Sequence, residues 1–158
     1  MALDEIERDA LIDTDVPHVW QLLTHAEHLG AWFGDAGASI DLRPGGELIV
    51  HWEEHGAVHG RFEAVDAPSV LAFRWAPFAH PGGTEPVPGN STLVTFLLTP
   101  EGAGTRVKVV ESGFASLECS GHEQRQHAFR NGEGWDLELR HLADLAAREV
   151  ILRATNGR

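Results

Sequence analysis

The chain has 158 residues, of which 42% are hydrophobic and 23% charged, and its formal net charge is -12. This length suits one domain, which buries roughly 70% of the surface it would expose unfolded, and the negative charge would repel a phosphate backbone or an anionic lipid surface, so nucleic acid is excluded as a partner. No stretch approaches the roughly 20 apolar residues of a membrane span, and the acidic start Asp4-Glu5-Ile6-Glu7 does not read as a secretory signal, so a cytoplasmic address is the default expectation.

Along the chain, Ile6, Ala10 and Ile12 with interleaved charge predict a first strand over residues 5 to 13. Asp13-Thr14-Asp15 then offers capping oxygens ahead of Val16-Pro17, and proline suits the first turn of a helix because its missing N–H would be unpaired there anyway. Val16, Val19, Trp20 and Leu23 keep helical spacing; Thr24-His25 interrupts it, and a second short helix runs to about Ala31, before Trp32-Phe33 and Gly34. From Gly46 the period changes to two, with Leu48, Val50 and Trp52 alternating, and a turn at 53–56 folds this strand back into Val58 to Val65.

Asp66 to Ser69 is the next turn and Val70 to Trp75 the next strand. Residues 76 to 90 are rich in proline and glycine and longer than an ordinary connection of about 4 to 6 residues, which marks a functional loop. Thr92 to Thr99 and Thr105 to Ser112 form a second hairpin, and alternation puts Glu111 on the same face as Val107 and Val109. Trp135, Leu139, Leu142, Ala146 and Val150 then recur at helical spacing, predicting a long amphipathic C-terminal helix. The expected unit is a single α+β domain over residues 1–152, with a frayed tail at 153–158. Its curved antiparallel sheet of about six strands is covered by the last helix.

Several stretches together resemble one family. They are Val16-Pro17 through Val19-Trp20 to Thr24, His28-Leu29 with Trp32-Phe33, Arg43-Pro44-Gly45-Gly46, Phe73-Arg74-Trp75, Ser91 to Phe96, Gly104 to Val107, Glu111-Ser112-Gly113-Phe114, and Gly134-Trp135. In this order, over about residues 4 to 147, they resemble the activator of heat-shock protein 90 ATPase homologue-like family of the START-like or SRPBCC superfamily, in its stand-alone bacterial form. The resemblance implies the helix-grip fold, a curved sheet around a long C-terminal helix enclosing a mostly apolar cavity. The superfamily holds carriers, receptors and cyclases, so the fold does not choose among them.

The chemical candidates are few. His51, His55 and His59 are spaced by four but fall on a hairpin, where helical chelation does not apply, and Cys119, His122 and His127 lack a fourth ligand, so no metal and no other cofactor is expected. Ser112 and Ser116 sit in no nucleophile elbow, and Gly102 to Thr105 leads into a strand instead of a helix, which excludes a phosphate loop. Glu111 is the acid/base candidate, because a carboxyl on an apolar face has its pKa raised by desolvation. Its alternative is a structural pairing with Arg74 or Arg61 or with backbone N–H groups.

Five tryptophans and no tyrosine supply large flat faces that suit either a core or a planar ligand. The expected function is binding of a small hydrophobic or aromatic molecule, lipid-like or polyketide-like, between sheet and C-terminal helix. Trp32, Phe33, Trp52, Phe73, Arg74, Trp75, Phe96, Glu111, Trp135 and Leu139 form the expected lining, and the 76–90 loop and Trp32-Phe33 the entrance. A cyclase-like or hydrolase-like enzyme using Glu111, and a chaperone-activating interaction protein, are the alternatives; the expected partner is a small hydrophobic molecule, with a homodimer left open.

Overall fold

The computed structural model describes residues 4–54, 56–76 and 85–156, the last five of these as backbone only. Asp15 accepts a hydrogen bond from the His18 N–H at 3.0 Å, so the expected cap does open the first helix, α1 (Val16–Thr24), directly after strand β1 (Glu5–Ile12). The Thr24 hydroxyl turns back onto the Trp20 carbonyl at 2.7 Å, and the chain breaks at His25 before α2 (Ala26–Trp32).

Past α2 the backbone passes hard against the sheet. A Cβ on Gly34 would stand 2.7 Å from both the His51 carbonyl oxygen and Val50, so only glycine lets the chain lie there. A three-residue strand, β2 (Ala38–Ile40), follows and pairs with β3 (Glu47–Trp52); it is too short to carry an alternation pattern and is absent from the sequence expectation. Between them the Arg43-Pro44-Gly45-Gly46 turn folds so tightly that a Cβ on Gly46 would stand 2.0 Å from the Asp41 carbonyl oxygen.

Strands β4 (Gly56–Asp66), β5 (Val70–Trp75), β6 (Thr92–Glu101) and β7 (Gly104–Ser112) complete one antiparallel sheet of seven strands in the order β1-β7-β6-β5-β4-β3-β2. The period of two is visible in the burial: Leu48 and Val50, Leu71 and Phe73, Val94, Phe96 and Leu98, and Val107, Val109 and Glu111 all point inward. A short 3-10 turn at Phe114–Ser116 leads into α3 (Gly121–Asn156).

The final helix is longer than the apolar periodicity indicates, at 36 residues. Ser120 begins it: its hydroxyl accepts from the Glu123 N–H at 3.1 Å and donates to the Glu123 carboxylate at 3.2 Å, a reciprocal capping arrangement whose Ser-x-x-Glu signal stands in the sequence. The backbone of 153–156, expected as tail, continues α3. Ala128, Trp135, Leu139, Leu142 and Ala146 are buried, and Arg8 of β1 holds Asp136 at 3.1 Å. Each fully buried side chain such as Leu142 contributes roughly 1.5–3 kcal/mol. This is the expected α+β helix-grip arrangement. No helix among the described residues is long and apolar enough to cross a membrane.

Candidate functional site

Where α2 ends, Phe33 is pushed into the space between sheet and α3. Its ring stacks on Trp135 of α3 at 5.3 Å and 7° and on Trp75 of β5 at 5.5 Å and 29°, and meets Trp52 of β3 edge-on at 5.2 Å. Trp135 also meets Phe96 at 5.6 Å, and Phe73 meets Trp75 at 5.7 Å, so rings of β3, β5, β6 and α3 form one connected cluster with Phe33 at the end of α2. Indole N–H groups cannot be left dry and unpaired, and the three buried ones are all satisfied: Trp32 donates to the Leu22 carbonyl at 2.8 Å, while Trp75 and Trp135 both donate to Glu111.

Glu111 is fully buried. Its Oε2 accepts from Trp75 Nε1 at 2.9 Å, Thr92 Oγ1 at 2.5 Å and Asn131 Nδ2 at 3.0 Å; its Oε1 accepts from Trp135 Nε1 at 2.8 Å and Asn131 Nδ2 at 3.1 Å. Burial pushes the carboxyl above the ordinary carboxylate range, and the bonds from Thr92, Trp135, Trp75 and Asn131 pull against that shift without cancelling it. The two indoles can only donate, whereas the Thr92 hydroxyl can also accept and is able to take the hydrogen bond of the protonated acid.

Neither arginine considered for Glu111 reaches it. Arg74 lies on the opposite face of β5 from Phe73 and Trp75 and holds Glu63 at 3.0 Å, and Arg61 holds Glu85 at 2.7 Å; both pairs are exposed. The carboxyl is held by neutral donors instead, a solution that alternation alone does not reveal. Asn131 in particular carries no signal until α3 is known to begin at Gly121.

Beside the aromatic cluster lies an open cleft of about 1140 Å³ between α2 with its following turn, the end of β3, and the outer part of α3. Trp32, Phe33 and the half-buried Trp52 line it, together with Asp35, Leu137, Glu138, His141, Asp144 and Arg148. Of the expected lining residues, Trp32, Phe33 and Trp52 therefore border the cleft. Phe73, Trp75, Phe96, Trp135 and Leu139 are buried between sheet and helix around Glu111, and Arg74 is apart from both groups.

Glu138 was not singled out from the sequence, where it reads as one more acid on a polar helix face. Its Oε1 is 3.7 Å from His141 Nδ1, while its Oε2 is buried without a hydrogen-bond partner. Burial, followed by the charge of Asp35, pushes its carboxyl up to about 8. Asp35 itself is fixed by accepting the Glu53 N–H at 2.7 Å.

Of the histidine set, His51 and His59 stand on neighbouring strands opposite different partners, and His55 falls outside the described residues. Among the described residues two groups bring three ligating atoms within 4.8 Å of one another, His25 with Glu27 and His28, and Glu47 with His59 and Glu85; in the second, Arg61 occupies Glu85. Most of the expected entrance loop, 77–84, is also outside the described residues; its end is fastened where the Gly89 carbonyl accepts the Glu118 N–H at 2.8 Å.

The architecture agrees with the comparisons. A family model described as activator of Hsp90 ATPase homolog 1-like protein matches residues 13–147. The chain belongs to this family. No curated protein matches the sequence. The fold of this family member is similar to that of protein MLL2253 from Mesorhizobium loti, at TM-score 0.74 and 22% identity over 91% of this chain and 97% of that one. It is similar to CalU16 from Micromonospora echinospora, at TM-score 0.66 and 22% identity over 93% and 78%. It is also similar to DynU16, a putative protein in the dynemicin biosynthetic locus, at TM-score 0.69 and 20% identity over 99% of this chain and 49% of that one. At these identities the likeness is one of fold.

Proposed function

We propose that the protein binds a small hydrophobic or aromatic molecule, lipid-like or polyketide-like, in the cleft between α2 and α3. The observation that carries this reading is the cleft itself: an open groove of about 1140 Å³, with room for a metabolite-sized ligand, and with Phe33 shared between its wall and the buried ring cluster. A flat ligand laid against Trp52 and Phe33 would extend that cluster outward, removing the half-buried Trp52 from water. The relative from the dynemicin locus supports a metabolite of biosynthetic origin as the class to test first.

Binding is favoured over catalysis because a general acid or base must reach the reacting atom, directly or through one water. Glu111 is fully buried, occupied by four donor side chains and absent from the cleft lining. Calorimetric titration with polycyclic aromatic and long-chain acyl compounds tests the reading. Saturable binding that Trp52→Ala weakens by tenfold or more, roughly 1.4 kcal/mol, is the expected result. Failure of both classes to bind, or binding indifferent to Trp52→Ala, overturns it.

A further inference from the structure

We infer that the cleft selects cationic ligands: an amidinium or ammonium group seats against Glu138 and Asp35 while the attached flat apolar part lies on Trp52 and Phe33. This rests on the reading of the cleft as the ligand site and adds the charge of the ligand.

Three observations support it independently. Glu138 Oε2 is shielded from water yet has no hydrogen-bond partner, an arrangement that costs stability until a donor arrives. Asp35, from the turn after α2, stands close enough for its charge to oppose ionisation of Glu138, so a cation between them relieves a repulsion as well as satisfying an oxygen. The aromatic wall beside them favours a cation over an anion through the ring quadrupole.

The other charged groups in the lining do not reverse this. His141 stands 3.7 Å from the opposite oxygen, Oε1, and leaves Oε2 without a partner, so a small rotation of the carboxyl is what presents it to the ligand. Asp144 adds another negative charge, while Arg148 lies ten residues further along α3 from Glu138, ~15 Å away by helical rise. Among the described residues the sheet contributes Trp52 and no titratable side chain to the lining.

The proton balance is explicit. Below about 8 the free Glu138 carboxyl keeps its proton, and a bound cation favours the carboxylate, so binding releases a proton to solvent. Affinity for a permanent cation therefore rises with pH up to about 8 and then levels. The probes are naphthamidine, cationic throughout this range, its neutral isostere naphthamide, and the anion naphthoate, each titrated by calorimetry in two buffers of different ionisation enthalpy.

Naphthamidine is expected to bind at least about tenfold more tightly than naphthamide near pH 8, since its cation makes a charge-assisted hydrogen bond that the neutral amide cannot. It should release a proton at lower pH, and naphthoate should bind weakest. In Glu138→Gln the two should bind alike and proton release should vanish; Asp35→Asn should reduce the preference in part. Equal affinities in the unaltered protein, or a preference that survives both substitutions, overturns the charge selection while leaving the apolar site standing. If none of the three probes binds, the site reading falls and this inference with it.

Discussion

Glu111 on β7 and Glu138 on α3 are two carboxyls drawn out of water, the first completely and the second in part, and they differ in how their oxygens are partnered. Around Glu111 both oxygens accept hydrogen bonds, from Trp75, Thr92, Asn131 and Trp135. Around Glu138 one oxygen has none. A carboxyl enclosed by matched donors rigidifies what surrounds it, because each donor would be orphaned by its loss. A carboxyl left incomplete beside an open cleft holds no donors in place and keeps an oxygen for something that enters. The first belongs to the core; the second marks the place to look for a ligand.

Removing Glu111 is the largest perturbation expected from this contrast. Glu111→Ala leaves two indole N–H groups, an amide and a hydroxyl dry, and the expected loss is about 3–5 kcal/mol in urea unfolding; Glu111→Gln, which keeps one acceptor oxygen, loses about 1–3 kcal/mol. A Glu111→Ala variant as stable as the parent would break the comparison. Gly34→Ala drives a Cβ to 2.7 Å from the His51 carbonyl oxygen and Val50, displacing the turn that carries Phe33 and Asp35, at about 1–3 kcal/mol.

The two carboxyls also set a pH dependence. Each is held above its ordinary value in the folded protein, so each contributes fully below that value, and the contribution is lost as pH rises. For Glu138 the window runs from about 4.5 to about 8. Thermal melts should fall across it, and in Glu138→Gln the fall should be shallower, leaving the variant the more stable above pH 8; an unchanged slope would show that Glu138 is not held up. At the small end, Arg74→Ala breaks only an exposed pair with Glu63 and should cost less than about 1 kcal/mol. It should leave ligand affinity unchanged.

What the sequence makes legible follows the reach of its signals. The caps at Asp15, the alternation of β6 and β7, and the inward direction of Glu111 are local or periodic properties, and all are present in the structure. The partners of Glu111 are not local: Trp75, Thr92, Asn131 and Trp135 come from β5, β6 and α3, and only strand register and helix placement bring them together. Glu138 was hidden for the opposite reason. An acid among acids on a helix has no distinguishing pattern, and its nearness to Asp35 depends on where the turn after α2 is laid, which Gly34 permits by having no side chain. The short β2 has too few residues to show any period.

Phe33 belongs to both regions, packed between the indoles of Trp75 and Trp135 on one side and bordering the cleft on the other. Because the chain has no tyrosine, its near-ultraviolet emission is carried by its five tryptophans. One of these borders the cleft half-exposed, and two more sit one ring behind it with their N–H groups on a single carboxylate. Arrival of a molecule at the cleft should therefore register optically at Trp52 first, as a blue shift on loss of water. Any disturbance passed on through Phe33 would follow as a change in the emission of the pair bound to Glu111.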